Sequence, residues 1–305
     1  MTARTLFYFS VLTLSSIVGL SNFSSAQADA QTAAHPEMIV STRWLAAHLN
    51  DPDLVILQIG QNKAQYDEHH IPGARYLAFD DFMVDHDGLK SELPAVDKLK
   101  DTFEKLGVGD NSHVILYTLY WYPMAARAYY TLDYLGHGDK ASLLDGGYQQ
   151  WTAEKRPIST ALVTPNKVTF TPHVNENARA LIEEAKAASQ DTSGKTLLVD
   201  SRPPKRYRDG HLPNAINIYW KETIADEDNS PVLLPPDQLR ALFKSRGIAG
   251  PDKAKLIPYC EIGWQASHVY FVAKYLGYNA AMYDGSFNEW NGERHLPVVK
   301  GNKQK

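Results

Sequence analysis

The chain has 305 residues, of which 44% are hydrophobic and 22% are charged, with a net charge of −4. This length predicts two domains, each with a normal hydrophobic core. The slight negative charge provides no general basic field, which argues against nucleic acid as a partner. A single cysteine builds neither a zinc site nor an internal disulfide, so we expect no metal and no other cofactor.

The first 28 residues predict a secretory signal peptide. Arg4 precedes an apolar stretch at residues 6–20, and small and polar residues follow up to Ala28. This order predicts cleavage after Ala26 or Ala28. The alternative is an uncleaved membrane anchor, but hydroxyl residues interrupt the stretch and it is short for a bilayer span. We therefore expect an exported protein in the bacterial periplasm, with no stable membrane insertion after cleavage.

Short β-branched runs alternate with helical patterns through the first half of the mature chain. A strand is predicted at 54–58 and another at 113–117, and the half closes on a segment that ends at Trp151. Alternation of this kind is typical of an α/β domain, in which helices flank a small parallel sheet. We place this N-terminal domain at residues 36–160.

The second half repeats the first at an offset of about 141 residues. The offset relates three pairs of residues, namely His70 and His211, Pro72 and Pro213, and Ala74 and Ala215. Matches in register over this distance indicate duplication of a whole domain. The repeat places the C-terminal domain at residues 178–300. A proline-containing linker at 161–177 joins it to the first domain.

Cys260 follows a predicted strand at 255–259 and precedes a helical pattern. In that position, free amide N–H groups and the helix dipole favour an anion, which is typical of a nucleophilic thiolate. The alternative is a buried cysteine that acts as a small hydrophobic residue. At the offset of 141, Leu119 occupies the place of Cys260. The first half therefore lacks a nucleophile, and we expect it to support or cover the second.

Four segments of the second half resemble the rhodanese (sulfurtransferase) superfamily in its tandem-domain form. In chain order they are Asp200-x-Arg202, the segment 210–217, the Cys260 loop with Gly263 at its fourth position, and the segment 284–290. The resemblance implies two rhodanese-like domains, of which only the second is catalytic. It also implies transfer of a sulfane sulfur from a small anionic donor, thiosulfate or 3-mercaptopyruvate, to a thiol or cyanide-like acceptor. The sulfur would travel on Cys260 as a persulfide. We expect a monomer.

The loop from Cys260 to Gln265 is expected to curl so that its amides converge on the sulfur. Gly263 would permit the backbone geometry of that curl. We therefore assign donor binding to the loop residues that follow the cysteine, namely Glu261, Ile262, Gly263, Trp264 and Gln265.

Two arginines near the end of the preceding strand are candidates for holding the donor. Arginine forks bind carboxylates and sulfonates, and Arg202 and Arg206 lie on the segment that should face the loop. The alternative is that both are solvated or paired with Asp200 and Asp209. Asp200 is expected to order the loop by accepting backbone N–H bonds.

The loop departs from the family pattern in its charge. Thiosulfate-using members carry cations there, whereas Glu261 should repel a dianion and raise the thiol pKa unless it points into solvent. We therefore expect Glu261→Arg to raise thiosulfate use. Mercaptopyruvate-using members carry a hydroxyl where this chain has Ile262. They also use an aspartate where Gln58 stands, so His70 is expected to be structural.

Two other functions are alternatives to sulfur transfer. A cysteine phosphatase or arsenate reductase needs an arginine six residues after the nucleophile, and Ala266 occupies that place. A non-catalytic module that binds a persulfide or a partner protein would fit a loop without cations. A sulfur adduct on Cys260 after incubation with donors distinguishes the enzyme from such a scaffold.

Overall fold

The computed structural model describes Met1 and residues 33–225 and 230–302. Apart from Met1, the expected signal peptide lies outside the described residues. In the described part of the chain, no helix is long and apolar enough to cross a membrane.

The first half is built on a five-stranded, all-parallel sheet. Its strands are β1 (Ile39–Val40), β2 (Leu54–Gly60), β3 (Ala74–Ala78), β6 (His113–Thr118) and β7 (Ala141–Leu144). Their order across the sheet is β1-β7-β6-β2-β3. A hairpin of β4 (Val84–His86) and β5 (Leu89–Glu92) projects from it. The helices are α1 (Thr42–His48), α2 (Lys63–Glu68), α3 (Phe79–Phe82), α4 (Val96–Lys105), α5 (Pro123–Tyr134) and α6 (Gly147–Ala153).

The second half repeats this arrangement. Its strands are β8 (Arg179–Ala180), β9 (Thr196–Asp200), β10 (Ile216–Asn217), β13 (Lys255–Tyr259) and β14 (Met282–Tyr283), with a hairpin of β11 (Ile224–Ala225) and β12 (Val232–Leu233). Its helices are α7 (Ile182–Gln190), α8 (Pro204–Asp209), α9 (Pro236–Ser245) and α10 (Trp264–Tyr275). The parallel order β10-β9-β13 continues through a bridge between Leu256 and Ala280 to β14 and β8.

The central strands are buried on both faces, which explains their continuous apolar sequences. In β2, Val55 and Leu57 face one cluster of core residues and Ile56 faces another on the opposite side of the sheet. Helices cover both faces, as the α/β prediction requires.

The two halves share one hydrophobic core. Every residue of α5 is buried, and α5 packs on its counterpart α10. Aromatic pairs join the helices edge to face, with ring centroids 4.9 Å apart for Tyr129 and Phe271 and 5.4 Å for Tyr130 and Tyr270. Because α5 is mostly apolar and is buried on all sides, it requires the second domain against it.

Equivalent hydrogen bonds confirm the duplication. Tyr117 donates its hydroxyl to Gln58 Oε1 at 2.6 Å, and Tyr259 donates to Asp200 Oδ2 at 2.8 Å. In each half, a histidine ring bonds the carbonyl of the tyrosine four residues before it, as His70 does at 2.7 Å. His70 also bonds the carbonyl of Ala161, so its contacts are those of the expected structural role.

The strand register shows that the residue of the first half equivalent to Cys260 is not the one predicted from the sequence. Strand pairing places Tyr117 opposite Gln58 and Tyr259 opposite Asp200, so the residue after each tyrosine is equivalent. Thr118, and not Leu119, therefore occupies the place of Cys260. The offset of 141 fails here because α5 begins six residues after Tyr117, whereas α10 begins five residues after Tyr259. The first loop is one residue longer.

Candidate active site at Cys260

Cys260 lies between the end of β13 and the start of α10, at the carboxyl edge of the second sheet. Its backbone N–H donates to Ser286 Oγ at 3.1 Å, and its carbonyl accepts the N–H of Phe287 at 3.0 Å. The carbonyl of Glu261 accepts the N–H of Asn288 at 3.0 Å. These bonds attach the start of the loop to the 284–290 segment on both sides of the cysteine.

The loop directs main-chain amides at the sulfur. Backbone N–H groups of Ile262, Gly263, Gln265 and Ala266 donate to the Cys260 thiol. Gly263 has a φ of +86° and caps α10, which turns the chain so that amides from the loop and from the first helical turn converge. The four amides form the nest that the sequence predicts.

The prediction that Cys260 is a thiolate in the resting protein is wrong, because the side chain is only 1% exposed. Burial raises the pKa of the Cys260 thiol, and the hydrogen bonds from the amides lower it by less. Without a donor, the protonated thiol is therefore the favoured form at neutral pH. Local sequence identified the amides correctly, but burial is set by packing against distant residues.

We predict that alkylation of Cys260 by iodoacetamide is slow at neutral pH and is still rising beyond about pH 8.5. Only the thiolate reacts, and the raised pKa moves its formation to higher pH. Rates are measured from pH 6 to 10 by intact mass, without background because Cys260 is the sole cysteine. The urea-unfolded chain, whose thiol has its ordinary pKa, is the control. A folded-state midpoint below that of the unfolded chain would contradict the prediction.

Arg202 is buried and is largely occupied by neighbouring protein groups. Its Nε and Nη2 donate to the Asp200 carboxylate at 2.7 to 3.2 Å, and Nη2 also donates to the Gly210 carbonyl. The guanidinium lies over the ring of Phe287, 4.1 Å from its centroid. Among the described residues, the hydrogen-bond partner of Nη1 is the Glu261 carboxylate, at 3.3 Å. Nε and Nη2 are occupied by protein groups, so Arg202 could contact a donor only through Nη1. Its role in donor binding stays a prediction.

Asp200 is fully buried and orders the start of the site. Its Oδ1 accepts the backbone N–H of Arg202 at 2.9 Å, and its Oδ2 accepts the hydroxyl of Tyr259, the residue before Cys260. The two arginines that the sequence suggests as a pair differ in burial, because Arg202 is buried and Arg206 is exposed on α8. No hydrogen bond joins the Arg206 side chain to the described loop, so its role in donor binding also stays a prediction.

The remaining loop residues lie around Cys260 and along the domain boundary. The Glu261 side chain is 51% exposed, and Ile262 and Gln265 are half-buried. Trp264 contacts Trp121 and Phe79 of the first domain, with ring centroids 5.1 Å and 6.0 Å apart.

A cleft of about 430 Å³ opens beside Trp264. It is lined by Lys98 but also by Asp80 and Asp85, so it does not supply the positive charge that the loop lacks. Among the described residues, no group of three or more histidine, cysteine, aspartate or glutamate side chains could hold a metal ion.

Sequence reasoning missed Arg127, which reaches the site from the first domain. Its guanidinium is fully buried and forms an ion pair with Asp284, the first residue of the 284–290 segment. The available signal is a single arginine within a mostly apolar and aromatic helix whose only other charged residue is Asp133, because a buried charge needs a partner. Its partner lies 157 residues further along the chain and was not predictable from spacing.

Tandem parallel-sheet domains, with a cysteine held in an amide nest between a strand and a helix, define the class of rhodanese-like proteins. A family model described as the rhodanese-like domain matches residues 41–154 and 181–293. The chain belongs to the rhodanese family.

Known relatives match nearly the whole length of the described chain. The chain is 33% identical over 292 residues to the sulfur carrier protein TtuD of Thermus thermophilus, covering 88% of this chain and 98% of that protein. It is 30% identical over 298 residues to a thiosulfate sulfurtransferase of Corynebacterium glutamicum, covering 89% of this chain and 93% of that protein. The solved structure of the 3-mercaptopyruvate sulfurtransferase SseA from Escherichia coli superposes with a TM-score of 0.72 at 26% identity, covering 82% and 98%.

Proposed function

We propose that the protein is a sulfurtransferase that carries a sulfane sulfur on Cys260 from a small anionic donor to a nucleophilic acceptor. The observation that carries the proposal is the convergence of four backbone amides on the only cysteine of the chain. The reaction class is that of the relatives named thiosulfate sulfurtransferase and 3-mercaptopyruvate sulfurtransferase. The acceptor is a thiol or a cyanide-like nucleophile.

The reaction proceeds in two displacements. The thiol first loses its proton to solvent, and the thiolate attacks the outer sulfur of the donor. The sulfur–sulfur bond of thiosulfate breaks and releases sulfite. With 3-mercaptopyruvate the carbon–sulfur bond breaks, and the enolate that leaves takes up a proton to become pyruvate. The acceptor then attacks the outer sulfur of the persulfide, and the thiolate is restored. The amide nest stabilises the negative charge on the buried sulfur both before and after transfer.

The donor competes with Glu261 for the Nη1 group of Arg202. Nη1 of Arg202 faces the Glu261 carboxylate, which is half exposed and able to rotate into solvent. An anionic donor group that takes its place would gain a charge-assisted hydrogen bond from a guanidinium that is already fixed by Asp200. The same carboxylate repels the donor as long as it remains beside the loop.

The direct test is formation of a persulfide. The mature protein is incubated separately with thiosulfate and with 3-mercaptopyruvate, and its intact mass is measured before and after addition of cyanide. We expect a gain of one sulfur atom with at least one donor, and its removal by cyanide as thiocyanate. Cys260→Ser is the control and should gain none. A folded wild-type chain that gains no sulfur from either donor would overturn the proposal and favour the non-catalytic module.

We predict that Glu261→Gln lowers the KM for thiosulfate about fivefold, because removal of one partly exposed like charge is worth about 1 kcal/mol. Glu261→Arg should lower it at least as much. Steady-state cyanolysis at low salt measures the change, and it should shrink in high salt. Glu183→Gln, which removes an exposed carboxylate on α7, is the matched control. An unchanged or higher KM in both Glu261 variants would contradict this view of the loop.

We further propose that the protein acts as a monomer in the bacterial periplasm. The charged, apolar and small-residue order of residues 1–28 supports export. The packing of α5 on α10 supports a monomer, because the most apolar helix of each half is covered by the other. N-terminal sequencing of the protein in the periplasmic fraction tests export, and an uncleaved, membrane-bound chain would contradict it. Light scattering tests the monomer, and the mass of a dimer would contradict it.

A further inference from the structure

The first domain reaches the Cys260 loop through one buried side chain. Arg127, in the middle of α5, crosses the domain boundary and holds Asp284 with both terminal nitrogens, Nη2 to Oδ2 being 3.1 Å. Nη2 also donates to the carbonyl of Ser91, at the hairpin of the first domain. The guanidinium lies 5.1 Å from the ring centroid of Tyr130. Both members of the ion pair are inaccessible to water, at 0% and 1% exposure.

This ion pair lies directly behind the turn that aims the amides. A Cβ atom placed on Gly263 would lie 2.6 Å from Asp284 Oδ1 and 3.0 Å from Arg127 Nη1, so the pair closes on the glycine. The chain then runs from Asp284 to Ser286, whose hydroxyl accepts the N–H of Cys260. The position of Asp284 therefore affects the loop both at the cysteine and at the glycine.

The first half lacks this arrangement at the equivalent places. His268, 141 residues after Arg127, pairs through Nε2 with Thr223 of its own domain at 2.7 Å. Asp145, the counterpart of Asp284, accepts a hydrogen bond from the backbone N–H of Leu233 at 2.9 Å, whereas Asp284 pairs with an arginine. A rhodanese-like domain thus folds here without the ion pair. The pair is present only beside the loop that carries the cysteine, which favours a role in the site.

We propose that Arg127 of the non-catalytic domain is a positioning residue for sulfur transfer. By fixing Asp284 it holds the Cys260 turn in the conformation in which four amides reach the sulfur. This inference rests on the proposed function. It also explains why the catalytic domain keeps an inactive partner, since the partner supplies the arginine that forms the ion pair with Asp284.

Loss of Arg127 would leave Asp284 buried beside a second carboxyl group. Glu92 is 6% exposed and lies near Asp284, and burial and the charge of Asp284 raise the pKa of Glu92 to about 7. An unpaired Asp284 would move away from that environment or take up water. Either response displaces the segment that holds Ser286 and Phe287, and with it the hydrogen bonds on both sides of Cys260.

The test compares Arg127→Met, Arg127→Lys and Arg75→Met. Arg75 is a partly buried arginine of the first domain that donates to the Leu106 carbonyl and, in the described part of the chain, has no hydrogen bond or ion pair with the Cys260 turn, so its loss tests stability alone. The readouts are kcat for sulfur transfer and the pH profile of Cys260 alkylation, both taken where circular dichroism shows a folded chain. For Arg127→Met we expect kcat to fall about 100-fold and alkylation at pH 8 to slow about tenfold, as when the thiol pKa rises by about one unit. Arg127→Lys should restore part of both, and Arg75→Met should change neither readout.

A second variant keeps the proposal testable if Arg127→Met does not fold. Arg127→Met combined with Asp284→Asn removes both charges and should recover stability, while kcat and the alkylation profile remain impaired. Wild-type kcat and profile in folded Arg127→Met, or in the double variant, would overturn the proposal. The alkylation profile needs no donor. It therefore still tests positioning if the wild-type chain forms no persulfide, which separates failure of this inference from failure of the proposed function.

Discussion

Replacement of Cys260 by serine is expected to lower sulfur transfer from either donor by about 1,000-fold or more. A hydroxyl in the same nest neither ionises at neutral pH nor forms a persulfide, so both displacements are lost. Fold and stability should be retained, since serine fits a site whose main chain is held by Ser286 and Phe287. Cyanolysis with both donors measures the loss.

The chain supplies a matched control for the role of the nest. Thr118 occupies the place of Cys260 in the first half and is almost as buried. We expect Thr118→Cys, made in the Cys260→Ser background, to give no turnover. Tyr122, which precedes α5, has a φ of −49°, whereas Gly263 has a φ of +86°, and the first loop is one residue longer. Recovery of turnover by Thr118→Cys would show that the thiol alone is sufficient and would contradict the importance assigned to the amides.

The sequence predicts the parts of this site that depend on local chain order. A strand followed by a cysteine, a glycine three residues later and a helical pattern predicts an amide nest, and four amides are found there. The repeated motifs likewise predict two parallel-sheet domains. In both cases, the information lies within a short segment or in its copy at a fixed distance along the chain.

The parts that the sequence did not predict depend on distant contacts or on an insertion. The fixed offset placed Leu119 opposite Cys260, because one extra residue in an aromatic loop leaves no mark in a comparison of side chains. The ionisation of Cys260 was misjudged because its burial depends on packing of the two halves. Arg127 was missed because its partner, Asp284, becomes a neighbour only when α5 docks on the second domain.

Arg202→Met is expected to lower the free energy of unfolding by about 3–5 kcal/mol. The change leaves Asp200 fully buried with only the Tyr259 hydroxyl and a backbone N–H as partners. Asp200→Asn in the same chain should recover most of the loss, because it removes the unpaired charge. The first half shows that a neutral arrangement folds, since Gln58 accepts the Tyr117 hydroxyl and Gly60 stands in the place of Arg202. Urea unfolding of the single and double variants measures this coupling.

The stabilised double variant then separates the two roles of Arg202. If Nη1 grips the donor, the double variant should fold well and yet show a KM for thiosulfate raised about tenfold, the effect of losing one charge-assisted hydrogen bond. Arg43→Met is the control, because this exposed arginine on α1 has no role assigned in the site and its loss should leave stability and KM unchanged. A wild-type KM in the stable double variant would show that Arg202 serves only the buried ion pair. Donor binding would then depend on the amide nest, whose hydrogen bonds persist when every nearby side chain is neutral.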